Sequence, residues 1–237
     1  MMRSKKEKRQ RMARIVEVLK VCYPDAECAL KYGSDPWRLL VMARLSAQCT
    51  DARVNEVSVE LFEAFPDVLA MANADIGEIE RIIKPCGLYR MKADNIRAAS
   101  IILCERFGGE LPSDMDSLLS LPGVGRKIAN LLIGDIFGGE AIVCDTYCMR
   151  ICGRLGFYPE GLRDATKIEY VLRDVIDLKE GSDFCHRIVN FGREICTARS
   201  PECERCPLAE LCEHNLKEQK SDERKRRAKE NSPADNR

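Results

Sequence analysis

Apolar residues recur at three- and four-residue spacing along most of the chain, as in Leu39, Val41, Met42 and Leu45 and again in Ile96, Ile101, Ile102 and Leu103. No convincing strand pattern interrupts them. Proline and glycine punctuate the stripes at Tyr23-Pro24, Asp35-Pro36, Phe65-Pro66, Pro85-Cys86-Gly87, Gly108-Gly109, Leu121-Pro122-Gly123, Gly138-Gly139 and Tyr158-Pro159. These breaks cut residues 10–215 into about ten helices, so the pattern predicts an all-α fold. No long-period repeat runs through it, which disfavours a solenoid. From Lys217 onward nearly every residue is charged or polar, and residues 217–237 read as a charged disordered tail.

The 237 residues suit one large domain or two interlocked ones, and 45% hydrophobic with 32% charged residues is a globular composition. No apolar run approaches the roughly 18 residues of a membrane span. The basic start, Met1 to Arg11, leads into an amphipathic Met12 to Val21 rather than an apolar leader core, so an intracellular, cytoplasmic protein is expected. Lys plus Arg and Asp plus Glu are each 38, so an anionic partner must be met by local patches. Residues 1–20 carry eight Lys/Arg against two Glu, and residues 81–107 carry Arg81, Lys84, Arg90, Lys92, Arg97 and Arg106 against Asp94 and Glu105. Solvated helix faces would look the same.

Thirteen cysteines, an odd number in an intracellular-looking chain, argue against a full disulfide framework. Nine are scattered among apolar neighbours as small buried hydrophobes would be, Cys144, Cys148, Cys152 and Cys185 among them. The other four, Cys196, Cys203, Cys206 and Cys212, follow C-x6-C-x2-C-x5-C within seventeen residues. Four thiolates can hold a zinc ion or an iron–sulfur cluster; only Cys203 and Cys206 have the close spacing usual for zinc, and the wide gaps favour the larger object. Zinc deaminase chemistry is excluded, because neither His186 nor His214 is followed by x-Glu. His186, beside Phe184, Ile188 and Val189, reads as a core or groove histidine.

Leu118, Leu119 and Leu121 close one helix, Pro122-Gly123-Val124-Gly125 turns, and Arg126-Lys127-Ile128-Ala129-Asn130 opens the next, a helix-hairpin-helix. Gly123 and Gly125 let backbone approach a phosphate, and N–H groups at the second helix's start bind an anion without net positive charge. An ordinary turn between packed helices would read similarly. Lys127 falls in the first turn, where the helix dipole is already positive and a lysine is mildly unfavourable. A lysine amine is the nucleophile of Schiff-base chemistry. Asp145, in Val143-Cys144-Asp145-Thr146, could cap a helix, act as the acid/base partner of a nucleophile, or do both.

Leu45-Ser46-Ala47-Gln48-Cys49-Thr50-Asp51, Leu121 to Lys127, Asp145-Thr146 and the cysteine cluster, in this order between about Arg14 and Cys212, together resemble the endonuclease III family of DNA glycosylases. That resemblance implies two helical domains flanking a DNA-binding groove: a six-helix barrel over 29–139, and an iron–sulfur domain built from 1–28 and 140–216. It implies a [4Fe-4S] cluster on Cys196, Cys203, Cys206 and Cys212, and a monomer acting on double-stranded DNA with damaged bases or abasic sites. Lys127 matches the nucleophile and Asp145 the catalytic carboxylate of a bifunctional enzyme. Such an enzyme removes damaged, chiefly oxidised, pyrimidines through a lysine Schiff base and nicks the abasic strand by β-elimination. Gln48 and Leu88 match positions that fill the space left by a flipped nucleotide; Gly123, Gly125, Arg126, Lys92, Arg90 and Arg199 are candidate DNA contacts.

Two departures stand out. Tyr147 replaces a histidine frequent in the family, and the loop Thr197 to Glu202 keeps only Arg199 as a cation while Glu202 would repel phosphate, which leaves the basic termini as the compensating surface. The rival readings are a monofunctional mismatch glycosylase, whose members lack a lysine at the position of Lys127 and carry a further recognition domain, and a non-catalytic DNA-binding module.

Overall fold

A computed structural model describes residues 4–230. Its α-helices among these residues are α1 (Lys5–Cys22), α2 (Pro36–Leu45), α3 (Asp51–Ala64), α4 (Val68–Ala72), α5 (Ile76–Ile83), α6 (Tyr89–Phe107), α7 (Met115–Leu119), α8 (Arg126–Asp135), α9 (Thr146–Arg154), α10 (Ala165–Arg173), α11 (Gly181–Glu194) and α12 (Glu213–Glu230). Short 3-10 turns occupy Lys84–Cys86, Leu178–Glu180, Cys203–Arg205 and Ala209–Leu211, and no strand occurs among the described residues. The all-α expectation holds. No described helix is long and apolar enough to cross a membrane.

The helix starts are written locally. Ser4, Asp35, Thr50, Asp67, Asp75, Asp114, Asp145 and Asp164 each cap the helix that follows by accepting from a backbone N–H three residues on. Helices α6, α8 and α11 start without a side-chain cap.

Two compact units result, Glu27–Val143 and the pair of stretches Met1–Ala26 and Cys144–Arg237, so the breaks fall after residues 26 and 143 rather than 28 and 139. In the first unit α2 is the central element: Trp37, Leu39, Leu40, Val41, Met42, Ala43 and Leu45 are all buried, as a helix apolar on every side must be. Helices α3, α6 and α8 pack on α2, and α6 also packs on α4 and α5. Trp37 Nε1 donates to Ser100 Oγ at 3.1 Å, which satisfies its one polar atom inside this core.

In the second unit α11 packs on α1 and α9, burying Phe184, Ile188 and Phe191 with Met12, Ile15 and Leu19. Its N-terminal cations are largely engaged internally. Lys5 Nζ lies 2.7 Å from Asp174 Oδ1, Arg9 Nε donates to the Asp174 carbonyl at 2.8 Å, and Lys20 Nζ meets Glu180 Oε1 at 2.7 Å. Arg11 is buried, donating to the Leu155 and Leu211 carbonyls at 2.7 and 3.1 Å under the Phe157 ring. Lys5, Arg9, Arg11 and Lys20 of the N-terminal basic patch thus brace the unit.

One further expectation is extended and another corrected. Cys144, Cys148, Cys152 and Cys185 are all buried, as small hydrophobes would be, and the other three thiols lie close to that of Cys148. The four-residue spacing puts the first three on one face of α9 and its entry, and α11 supplies the fourth. Residues 217–230 are helical, part of α12. A segment too polar to bury is still free to coil when it holds no Gly or Pro and is rich in Lys, Arg, Glu and Gln, which favour helix. The last seven residues of the expected tail, 231–237, lie outside the described residues.

Candidate functional site

The hairpin is α7, a tight turn and α8, with Leu118, Leu121 and Val124 buried beneath it and the Val124 N–H bonded to the Leu121 carbonyl at 3.1 Å. Its two glycines serve different ends. Gly123 has φ +77°, and a Cβ there would stand 2.6 Å from Arg44 Nε and 2.9 Å from both Arg44 Cδ and Asn95 Cβ, so its bareness is demanded by the protein's own interior. Gly125 has extended backbone (φ −98°, ψ 174°) and an added Cβ would meet nothing within 4 Å, so this position faces open space. As the N-cap of α8 it has no side chain with which to cap that helix, the arrangement that suits a phosphate oxygen at its N-terminus. Lys127 is exposed in this first turn, and Arg126 is half-buried beside it.

Arg44 escaped sequence reasoning. It is half-buried behind the turn, its Nε is buried without a hydrogen-bond partner, and burial holds its pKa below the ordinary arginine value. The available signal was a cation immediately before the Leu45 to Asp51 motif.

Asp145 caps α9, its Oδ1 accepting from the Cys148 N–H at 2.7 Å. The bond fixes the carboxylate's orientation, and the residue is half-buried rather than sealed. Lys127 belongs to the unit Glu27–Val143 and Asp145 to the other. Tyr147, in the first turn of α9, packs its ring on Gly192 of α11, with the guanidinium of Arg150 5.1 Å and that of Arg193 5.8 Å from its centroid.

Gln48 (φ 55°) and Leu88 (φ 49°) are two of the three non-glycine residues with left-handed backbone among those described. Such conformations persist where surrounding structure imposes them, and they concentrate at functional sites. Leu88 is 49% exposed, so this strained leucine presents its side chain to solvent. Arg90 is exposed, 3.9 Å from Glu80, and Arg199 is exposed in its loop. Lys92 is fully buried, and this corrects the expectation of a phosphate contact: its Nζ donates to the Leu45 carbonyl at 2.7 Å and the Cys86 carbonyl at 2.9 Å. Its place on the inner side of α6 points the ammonium away from any surface ligand.

Cys196, Cys203, Cys206 and Cys212 line one cavity together with Ile151, Phe191 and Leu208, whereas no group of three or more His, Cys, Asp or Glu among the described residues is arranged to hold one metal ion. Burial pushes the Cys206 thiol up to about 11 and raises Cys203 and Cys212 as well, so thiolates here need cationic support. Protein supplies part of it through Arg154, a buried residue that sequence reasoning missed. Its Nη1 donates to Cys196 Sγ at 3.3 Å and to the Thr197 carbonyl at 2.7 Å, and Nη2 to the Ala198 carbonyl at 2.9 Å. Four soft sulfur donors on one cavity, braced by a guanidinium, fit a multi-metal sulfur cluster. In the same loop Glu202 pairs with Arg205, which holds its carboxyl below the ordinary range and offsets the charge that would repel phosphate.

The chain is similar to known proteins in both parts of this arrangement. Residues 41–177 match the HhH-GPD superfamily of base excision DNA repair proteins, and residues 196–212 match the iron–sulfur binding domain of endonuclease III. Endonuclease III of Synechocystis sp. is 42% identical over 213 residues, 90% of this chain and 96% of that protein. The Bacillus subtilis endonuclease III is 41% identical over 198 residues, 84% of this chain and 90% of that protein. Two solved structures, a non-covalent endonuclease III–DNA complex and a trapped endonuclease III–DNA covalent intermediate, each share 38% identity with a TM-score of 0.83, covering 92% of this chain and all of theirs.

Proposed function

The chain belongs to the endonuclease III family, and from that premise we propose how its residues carry out bifunctional base excision, DNA glycosylase and abasic-site lyase in one protein. Double-stranded DNA is the substrate. Damaged bases stack and pair poorly, so rotating one out of the duplex costs less than rotating an intact base, and oxidised pyrimidines are the lesion class we assign. The enzyme acts wherever in the cell that DNA is held.

The observation that carries the assignment of roles is Lys127, exposed in the first turn of a helix whose N-cap, Gly125, offers neither side chain nor obstruction. Backbone N–H groups at that terminus hold a phosphate, with Arg126 beside it, and so set the distance between strand and lysine. The Lys127 amine attacks C1′ of the everted nucleotide and the C1′–base bond breaks, the base leaving with one amine proton; the C1′–O4′ bond then opens, O4′ takes the second proton, and an imine to the ring-opened sugar remains. Loss of the C2′ proton then expels the 3′ phosphate by β-elimination and nicks the strand. Asp145 supplies negative charge as the sugar becomes electron-poor in base departure, and its capping bond keeps that carboxylate oriented. Leu88 and Gln48 occupy the vacated space, the leucine supporting the stacked neighbours and the amide hydrogen-bonding the orphaned base.

A [4Fe-4S] cluster on Cys196, Cys203, Cys206 and Cys212 is the cofactor we assign to the iron–sulfur domain. When bound it supplies cross-links that order the loop between α11 and α12, and Arg154 orients the first ligand's turn from outside.

Borohydride trapping on a duplex with one oxidised pyrimidine tests the assignment, run with Lys127→Ala and a binding control for each protein. A covalent adduct lost in the variant, with DNA binding retained, is the expected result. Base release by the wild type without any adduct would show a monofunctional glycosylase, and binding without either step would show a DNA-binding module.

A further inference from the structure

Lys92 is a buried ammonium that the proposed chemistry does not use. It lies in the first turn of α6, where its own N–H bonds the Leu88 carbonyl at 3.1 Å. Its side chain runs inward to two carbonyls distant in sequence from each other. One belongs to Leu45, the last residue of α2, a position whose carbonyl has no partner within its helix. The other belongs to Cys86, at the end of the 3-10 turn that precedes Gly87 and Leu88. An ammonium at a helix C-terminus is also favoured by the dipole of α2.

These two carbonyls are the bases of two loops. Leu45 leads through Ser46 and Ala47 to Gln48, and Cys86 leads through Gly87 to Leu88. Both loop tips have left-handed backbone, at φ 55° and 49°. The thiols of Cys49 and Cys86 also lie close to each other beside this bridge. No carboxylate accompanies the lysine in its bonds. Burial holds its pKa below the ordinary lysine value, the Arg44 guanidinium pushes in the same direction, and its ammonium is met by two carbonyl dipoles. A buried cation with only neutral partners is costly unless its geometry is needed, and loss of it would leave two buried carbonyls without their donor.

We propose that Lys92 is a positioning residue that locks the Gln48 loop to the Leu88 loop, so that both side chains enter the duplex as one rigid unit when a nucleotide is everted. The inference rests on the assignment of Gln48 and Leu88 as space-filling residues. Two probes on separate loops must arrive with a fixed separation, because one fills a gap in a base stack and the other meets an orphaned base in that same gap. A direct bridge of three atoms, carbonyl to ammonium to carbonyl, sets that separation without occupying the surface where DNA lies.

The test compares single-turnover base excision from a lesion duplex with borohydride trapping on a single-stranded abasic oligonucleotide, which has no stack to fill and no orphaned base. Lys92→Met keeps the apolar stem of the side chain and removes its ammonium, and with it the charge and donors. Excision from duplex is expected to fall about 10- to 100-fold, the scale of a misplacement of about 1 Å, while single-strand trapping changes less than about twofold. In a Leu88→Ala background the same substitution is expected to cost much less than it does alone, because it acts through Leu88. Equal loss on both substrates, or full additivity with Leu88→Ala, would make Lys92 a stability residue only and overturn the proposal. If Lys92→Met is recovered unfolded, Lys92→Gln, which retains a neutral donor, replaces it with the same pair of substrates. Should Leu88→Ala and Gln48→Ala leave duplex excision unchanged, the space-filling assignment itself falls; should they lower it while the Lys92 variants do not, only the positioning role falls.

Discussion

Alanine at Gly123 and alanine at Gly125 should fail in opposite ways, although both residues lie in one turn and both look like a phosphate cradle in the sequence. At Gly123 the backbone is left-handed, φ +77°, which costs a residue with a Cβ about 1–2 kcal/mol. The new carbon would also sit 2.9 Å from Asn95 Cβ, which is anchored to α6, and 2.6 Å from Arg44 Nε. Arg44 can swing, but Asn95 Cβ moves only with its helix, and overpacking of this kind costs about 1–3 kcal/mol. The sum, about 2–5 kcal/mol, corresponds to a fall in Tm of roughly 5–15 °C for a chain of this size. At Gly125 the backbone is extended and nothing lies within 4 Å of the added carbon, so only the modest loss of a glycine N-cap remains, at most about 1 kcal/mol. Its Cβ would stand where a phosphate oxygen approaches α8. Thermal unfolding by circular dichroism and DNA binding across a salt series separate the two effects. Gly123→Ala should lower Tm strongly; Gly125→Ala should leave Tm nearly unchanged and weaken binding at every salt concentration. A Gly123→Ala protein within about 1 °C of wild type, or a Gly125→Ala protein with undiminished binding, would refute the division of labour.

Asp145→Asn should keep the cap on α9 and hence the Tm, yet slow base excision about 100-fold or more, whereas Asp145→Ala should also lose about 1 kcal/mol of stability; equal activity of Asp145→Asn and wild type in single-turnover assays would remove the carboxylate from the chemistry. Arg154→Met deprives the Thr197 and Ala198 carbonyls of a buried charged donor, a loss of about 2–3 kcal/mol, and should lower the iron content per chain measured by absorption and metal analysis. Gly192→Ala adds a carbon 2.5 Å from Tyr147 Cδ1 and 2.8 Å from Ile151 Cδ1, so the close approach of α9 and α11 should cost about 1–3 kcal/mol; a raised Tm would mean that helix propensity outweighs the clash.

Much of the candidate chemistry was legible because it is local. The hairpin here is Pro-Gly-x-Gly within four residues, the sulfur ligands sit on one short loop, and eight helix starts carry Asp, Ser or Thr; each is a relation between near neighbours that spacing records. Helical periodicity likewise shows which face of α6 is apolar, and with it the fold class. What the chain order does not record is where a charge or a thiol ends up once distant segments meet. Lys92 reads as one cation in a basic stretch, and only the packing of α6 on α2 turns it inward to the Leu45 and Cys86 carbonyls. Gly123 and Gly125 are equivalent in a motif, and only Arg44 and Asn95 behind one of them make it a packing requirement. Cys185 lies far in sequence from Cys144, Cys148 and Cys152, and Arg154 is far from the loop it braces; folding alone brings each to its partners. Sequence by itself determined the helices, their caps, the hairpin and the cysteine set, because those follow from interactions within a turn or two. Tertiary structure decided which polar groups face solvent and which become internal struts, because burial and hydrogen-bond partnership depend on the convergence of segments that the linear order leaves apart.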